Sequence, residues 1–77
     1  MPLSNSEAPR EVAVAQMPID LCQFLKFGGL AQSGGEAKRA VGQGLVRLNG
    51  AVETRRSRKL AAGDQVTFSG RTIVVRV

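Results

Sequence analysis

Gly44 divides this chain into two hydrophobic rhythms, and any fold has to satisfy both. Before it, apolar residues recur every three or four positions, as in Leu21, Phe24 and Leu25 and then Ala37, Ala40 and Val41, which is the spacing of helices buried along one stripe. From Leu45 onward the period falls to two, the signature of strands with one buried face. Each kind of element must bury its apolar side against another layer. The order of helix, helix and then strands therefore predicts an α+β domain, two short helices packed on a small, mostly antiparallel sheet. Nothing larger fits. A chain of 77 residues buries only about 60% of the surface it exposes when unfolded, which leaves no core for a second domain or a deep substrate cleft.

Local signals mark where these elements begin and end. Asp20 is a good helix N-cap, Gln23 stands three residues later as in a capping box, and Ile19 and Phe24 have the spacing of a hydrophobic staple. Lys26 lies toward the negative end of the helix dipole, and Gly28-Gly29 supplies the left-handed residue that stops the helix. Cys22 and Phe27 flank the apolar face, and Cys22 reads as a packing residue. The second helix opens with Ser33, again three residues before an acid, Glu36. Gly44 closes it, with Leu45 folding back on Ala40. Gly34, Gly35 and Gly42 weaken this helix, so tertiary packing must hold it.

In the second half, Val46 and Leu48 alternate with Arg47, Asn49-Gly50 is a tight-turn signal, and Ala51 to Thr54 can return as the partner strand. Gly63-Asp64 makes another turn, Val66 and Phe68 alternate with Thr67, and Ser69-Gly70 turns again. Ile73, Val75 and Val77 then line a last strand. At the other end of the chain, Pro2, Pro9 and Pro18 all precede Asp20, whereas all nine glycines lie from Gly28 onward. Residues 1–10 read as a flexible arm and 11–77 as the domain, with its motif core at 20–77. Glu11 to Ala15 has a period-two pattern suited to an edge strand.

Charge and composition narrow the function. The net charge of +5 is an average over unlike parts, being −1 for residues 1–19 and +6 for residues 20–77. Polyanions are the natural partners of such a surface. No histidine is present and Cys22 is the one cysteine, so His-based triads, internal disulfides and multi-cysteine metal sites are excluded. No metal or other cofactor is expected. An unstapled small domain, with no apolar run near the roughly 18 residues of a membrane span and no signal-peptide pattern, is expected in the cytoplasm and away from membranes.

Seven cations carry the functional expectation. Lys38 and Arg39 stand roughly 100° and 200° around the helix from Ala37, and Arg47 alternates with buried residues, so all three face solvent. Arg55, Arg56, Arg58 and Lys59 crowd one loop. If that loop folds beside the second helix, up to seven cations share a face, with Glu36 and Glu53 as the only nearby acids. Any one of these charges alone is better read as an ordinary solvated side chain. Trp and Tyr are absent, and Phe24, Phe27 and Phe68 stand at positions that read as buried, so contact is expected with phosphates more than with stacked bases. Arginine outnumbers lysine, which suits bidentate phosphate recognition. The N–H groups at Ser33, Gly34 and Gly35 offer one further phosphate contact, against which stand the repulsion of Glu36 and close helix packing as another reason for the glycines.

The order of these motifs resembles the S4 RNA-binding domain, built on the α-L motif of two helices and a basic loop leading into a small sheet. The resemblance covers residues 20–77. It rests on Leu21-Cys22-Gln23-Phe24-Leu25-Lys26-Phe27-Gly28-Gly29-Leu30, Ser33-Gly34-Gly35-Glu36-Ala37-Lys38, Gly44-Leu45-Val46-Arg47-Leu48-Asn49-Gly50 and Gly63-Asp64-Gln65-Val66. No single piece is specific; order and spacing together are. The Ser-Gly-x-x-Ala-Lys segment is similar to that of short, stand-alone bacterial members. Many other S4 domains have Arg after the serine, where Gly34 stands here, so one phosphate ligand of the wider family is missing.

The resemblance implies a non-enzymatic binding module for structured RNA, ribosomal RNA or tRNA, in a setting that includes the ribosome. It implies Lys38, Arg39, Arg47, Arg55, Arg56, Arg58 and Lys59 as the RNA-facing residues. A monomer is expected. Two alternatives stay open on the residues alone: a DNA-binding or general polyanion-binding protein, and a protein-docking adaptor working through the exposed sheet face around Val74.

Overall fold

The computed structural model describes residues 9–15 and 17–77. Seven elements follow in order: β1 (Arg10–Ala13), α1 (Leu21–Phe27), α2 (Gly34–Gly42), β2 (Val46–Leu48), β3 (Ala51–Val52), β4 (Gln65–Phe68) and β5 (Arg71–Arg76). The expected α+β order is present. β1 starts at Arg10, and the first eight residues of the expected arm lie outside the described residues.

Both helices begin as their spacing requires. The Asp20 carboxylate accepts from the Gln23 N–H at 2.8 Å while the Gln23 side chain accepts from the Asp20 N–H at 3.1 Å, a complete capping box. Ser33 Oγ accepts from the Glu36 N–H at 3.1 Å, but the Glu36 carboxylate reaches one residue further back, to the Gln32 N–H at 2.6 Å. The helix ends are also alike. Gly29 and Gly44 take positive φ, and the N–H of the following residue, Leu30 or Leu45, bonds the carbonyl of Leu25 or Ala40 at 3.0 Å, as in a Schellman motif.

Three expectations about side chains are corrected. Phe27 is 60% exposed and Phe68 half-buried, so Phe24 alone of the three aromatic rings is fully buried. Leu45 folds back through its backbone only: its side chain is 55% exposed, whereas its counterpart Leu30 is buried. Val77 lies beyond β5 and is exposed. Gly28 also plays a different part from Gly29. It keeps a right-handed backbone, and a Cβ there would overlap Ile73 Cδ1 on β5, so close packing of α1 on the sheet is what requires glycine.

The sheet runs β1-β5-β4-β2-β3. Antiparallel pairing joins β5 to β4, β4 to β2 and β2 to β3, as expected, whereas β1 pairs with β5 in parallel, making the sheet mixed. Positive φ at Asn49 and Gly50, and again at Ser69 and Gly70, is the backbone of the tightest hairpin turns. β3 is shorter than the expected partner strand, because after one more ladder bond, Glu53 N–H to the Val46 carbonyl at 3.0 Å, the chain turns away into the basic loop. The core lies between the helices and one face of the sheet, uniting Leu21, Phe24 and Leu25 with Ala37, Ala40 and Val41 and with Val46, Leu48, Val66, Ile73 and Val75. Cys22 is buried within it, as a packing residue should be.

Candidate nucleic-acid interface

The basic loop between β3 and β4 is fastened to α1 by the backbone. Leu21, at the first helical position, has an N–H with no partner inside its own helix, and that N–H donates to the Arg58 carbonyl at 2.9 Å. Leu60 N–H donates to the Ile19 carbonyl at 3.0 Å, and Asp20 and Lys59 form an isolated bridge between these bonds. The charged segment thus completes the start of a buried helix, which gives exposed side chains a fixed base.

Its side chains reach the second helix as well. The Arg56 guanidinium lies over Gly42, with Nη2 3.3 Å from where a Cβ would stand. Gly42 follows Lys38 by four residues and Arg39 by three, so Lys38, Arg39 and Gly42 are neighbours on the α2 surface. Lys38 and Arg56 also act on one shared target. Burial, and then Asp20, push the Cys22 thiol above its ordinary pKa, while the positive charges of Arg56 and Lys38 pull it the other way. An open recess of about 700 Å³ is lined by Gly42, Thr54, Arg55, Arg56, Ser57, Arg58 and Lys59.

Glu53 organises two of these cations. Its carboxylate accepts from Arg55 Nε at 3.0 Å, from the Arg55 N–H at 3.0 Å and from Arg58 Nη1 at 3.1 Å. Hydrogen bonds from Arg55 hold the Glu53 carboxyl below the usual carboxylate range. Among the described residues no carboxylate forms an ion pair with Lys38, Arg39, Arg47, Arg56 or Lys59.

The seven cations are not all on one surface. Arg55, Arg56, Arg58 and Lys59 share the recess, with Lys38 and Arg39 beside it on α2. Arg47 is exposed but belongs to the outer row of the sheet, in register with Val52 and Thr67, on the face opposite the core. At the start of α2, a Cβ at Gly34 would meet nothing within 4 Å, and one at Gly35 only Ser33 Oγ at 3.8 Å. Close packing therefore does not explain those two glycines. The Glu36 carboxylate nevertheless stands at the same helix end, on the Gln32 N–H. Around Val74 the outer sheet face is polar: Gln65 and Glu11 are its register neighbours, Glu11 pairs with Arg76 at 3.0 Å, and Thr67 and Thr72 bond across the sheet at 2.8 Å.

In the sequence Glu53 is only a nearby acid. Its role depends on the turn that brings Arg58 N–H to the Arg55 carbonyl at 3.3 Å, which no hydrophobic period reports. Arg10, the last residue of the expected arm, instead bonds the Gly28 carbonyl through its guanidinium, at the negative end of α1. Among the described residues no helix is long and apolar enough to cross a membrane.

Comparison with known proteins gives this arrangement a lineage. A solution structure of YbcJ from Escherichia coli, described as revealing an alfaL motif involved in RNA-binding, superimposes with a TM-score of 0.69 at 36% identity, covering 100% of this chain and 95% of that one. In sequence, the putative RNA-binding protein YbcJ of Escherichia coli is 44% identical over 57 residues, 74% of this chain and 81% of that protein. The probable ribosome maturation protein RlbA of Bacillus subtilis is 44% identical over 52 residues, 68% of this chain and 73% of its own length. The tyrosine–tRNA ligase of Bordetella pertussis is 40% identical over 67 residues, but these make up only 16% of that enzyme. The S4 domain model matches residues 12–76, and the chain belongs to the S4 domain family.

Proposed function

We propose that this protein is a non-enzymatic module that binds structured RNA, ribosomal RNA or tRNA, by shape and phosphate contact. Arg55, Arg56, Arg58 and Lys59 supply the loop side of the contact and Lys38 and Arg39 the helix side, with Ser33, Gly34 and Gly35 at one margin; Arg47, on the outer face of the sheet, stands apart from it. The observation that carries this reading is the anchoring of the loop: Leu21 N–H on the Arg58 carbonyl and Arg56 over Gly42 bring cations from two parts of the chain to one fixed surface. A fixed arginine array matches phosphates at a set spacing, which a flexible basic tail does not. The relatives support the choice of RNA, since YbcJ is described as a putative RNA-binding protein and RlbA as a probable ribosome maturation protein. Association with the ribosome, a cytoplasmic location and a monomeric state belong to the same proposal.

The test is the salt dependence of affinity for a tRNA and for a ribosomal RNA fragment, with duplex DNA of equal length as competitor. Log affinity should fall linearly with log salt, and Arg56→Ala and Lys38→Ala should each flatten the slope by up to about 0.9. Unchanged slopes in both variants, or equal affinity for the DNA, would overturn the proposal.

A further inference from the structure

We infer that Glu53, the acid inside the cationic loop, is a positioning residue that raises affinity for a polyanion despite its negative charge. The inference rests on the RNA-binding reading above. Simple Coulomb reasoning assigns Glu53 the opposite effect, since a carboxylate among arginines repels phosphate and lowers the local potential.

The geometry argues otherwise. Glu53 is the first residue after β3, held to the sheet by its N–H on the Val46 carbonyl, and its side chain is only 13% exposed. Arg55 and Arg58, by contrast, are loop residues with side chains 70% and 40% exposed, and both converge on this one carboxylate. Arginine has many rotamers, and a free one must be ordered when it meets a phosphate. Here that ordering is done before any ligand arrives. The donors used are also few. Arg55 turns Nε and, at 3.5 Å, Nη2 toward Glu53, and Arg58 turns only Nη1, so each guanidinium keeps further N–H groups for a second anion. The Arg55 N–H on the same carboxylate fixes the backbone where the loop begins to turn. No other acid of the described residues bonds two of the cations, so the effect should not be shared by Glu36.

Two substitutions separate positioning from charge. Glu53→Gln removes the negative charge and keeps the size. A charge effect alone would tighten RNA binding and steepen the salt slope, whereas positioning predicts affinity lower by about threefold or more. Glu53→Asp keeps the charge and shortens the reach, so a charge effect predicts no change and positioning predicts weaker binding. In an Arg55→Ala/Arg58→Ala background the penalty of Glu53→Gln should vanish, because the residue acts through those two side chains. Affinities are measured against tRNA on variants whose thermal unfolding confirms a folded state. Should Glu53→Gln fail to fold, Glu53→Asp decides alone. Equal or tighter binding by Glu53→Gln with wild-type binding by Glu53→Asp would overturn the inference, and a salt slope still flattened by Lys38→Ala would show that the RNA-binding reading survives it. Salt-independent or absent binding by the wild-type protein would overturn both.

Discussion

The two helices start and stop by the same devices yet do different work. Both have an oxygen cap on the third N–H, and both end on a left-handed glycine with the Schellman pair of bonds. Their faces then diverge. α1 buries Leu21, Phe24 and Leu25, its closing Leu30 is buried, and Gly28 lets it press against Ile73. α2 buries only Ala37, Ala40 and Val41, its closing Leu45 is exposed, and a Cβ at Gly34 would find open space. One helix is held by what it buries, while the other is laid on that base with its glycines and cations turned outward. Capping decides where a helix lies along the chain, and the bulk of the buried stripe decides whether it is foundation or display.

Glycine substitutions should break this comparison most sharply. Gly28→Ala forces Ile73 or the end of α1 to move, and overpacking of this kind costs about 1–3 kcal/mol, to be read as a lower urea midpoint with unchanged m-value. An unaltered midpoint would remove the distinction between the helix ends. Gly34→Ala should act in the opposite direction. With helical geometry, no positive φ and no neighbour to meet, it should stabilise by up to about 1 kcal/mol. Its RNA affinity should nevertheless fall a few-fold, roughly 0.5–1 kcal/mol, if the backbone there approaches phosphate. A rise in both stability and affinity would strike Ser33, Gly34 and Gly35 from the interface.

The smallest effect concerns Glu53. Its carboxyl titrates below its ordinary value near 4.5, so the folded state binds that proton less readily than the unfolded chain does. The stabilisation is present above the ordinary value and is lost as pH falls through the depressed one. At pH 4.5, then, Glu53 should remain mostly ionised, with its bonds to Arg55 and Arg58 intact. A carboxyl-carbon NMR titration checks this, and a midpoint at or above 4.5 would contradict the geometry. The influence on global stability should be slight, because exposed arginines contribute little through such pairs.

The exposed Arg47 sharpens the same lesson on the sheet. Its alternation with Val46 and Leu48 correctly predicts a solvent-facing side chain, but alternation distinguishes only in from out. It does not say on which side of the molecule "out" lies, and the outer row of β2 is a different surface from the loop and α2. Phe27 fails for a related reason: it only flanks the apolar stripe, so although Gly28 beside it packs on Ile73, the Phe27 ring stands with Gln23 and Lys26 and is exposed.

By itself the sequence determined what depends on near neighbours. The Asp20–Gln23 box, the Ser33 cap, the left-handed glycines after each helix, the Asn49-Gly50 and Ser69-Gly70 turns and the buried stripes all follow from spacings of a few residues, where bonding geometry and side-chain period act directly. Tertiary structure alone decided the parallel pairing of β1 with β5, the seat of the basic loop on Leu21, the place of Arg56 over Gly42 and the sharing of Glu53 between two arginines. The pairing and the two seats join segments far apart in the chain, and the shared carboxylate depends on a loop whose path those seats set. A spacing rule cannot foresee them, because each is chosen by which unsatisfied backbone group or open surface the packed core happens to leave within reach.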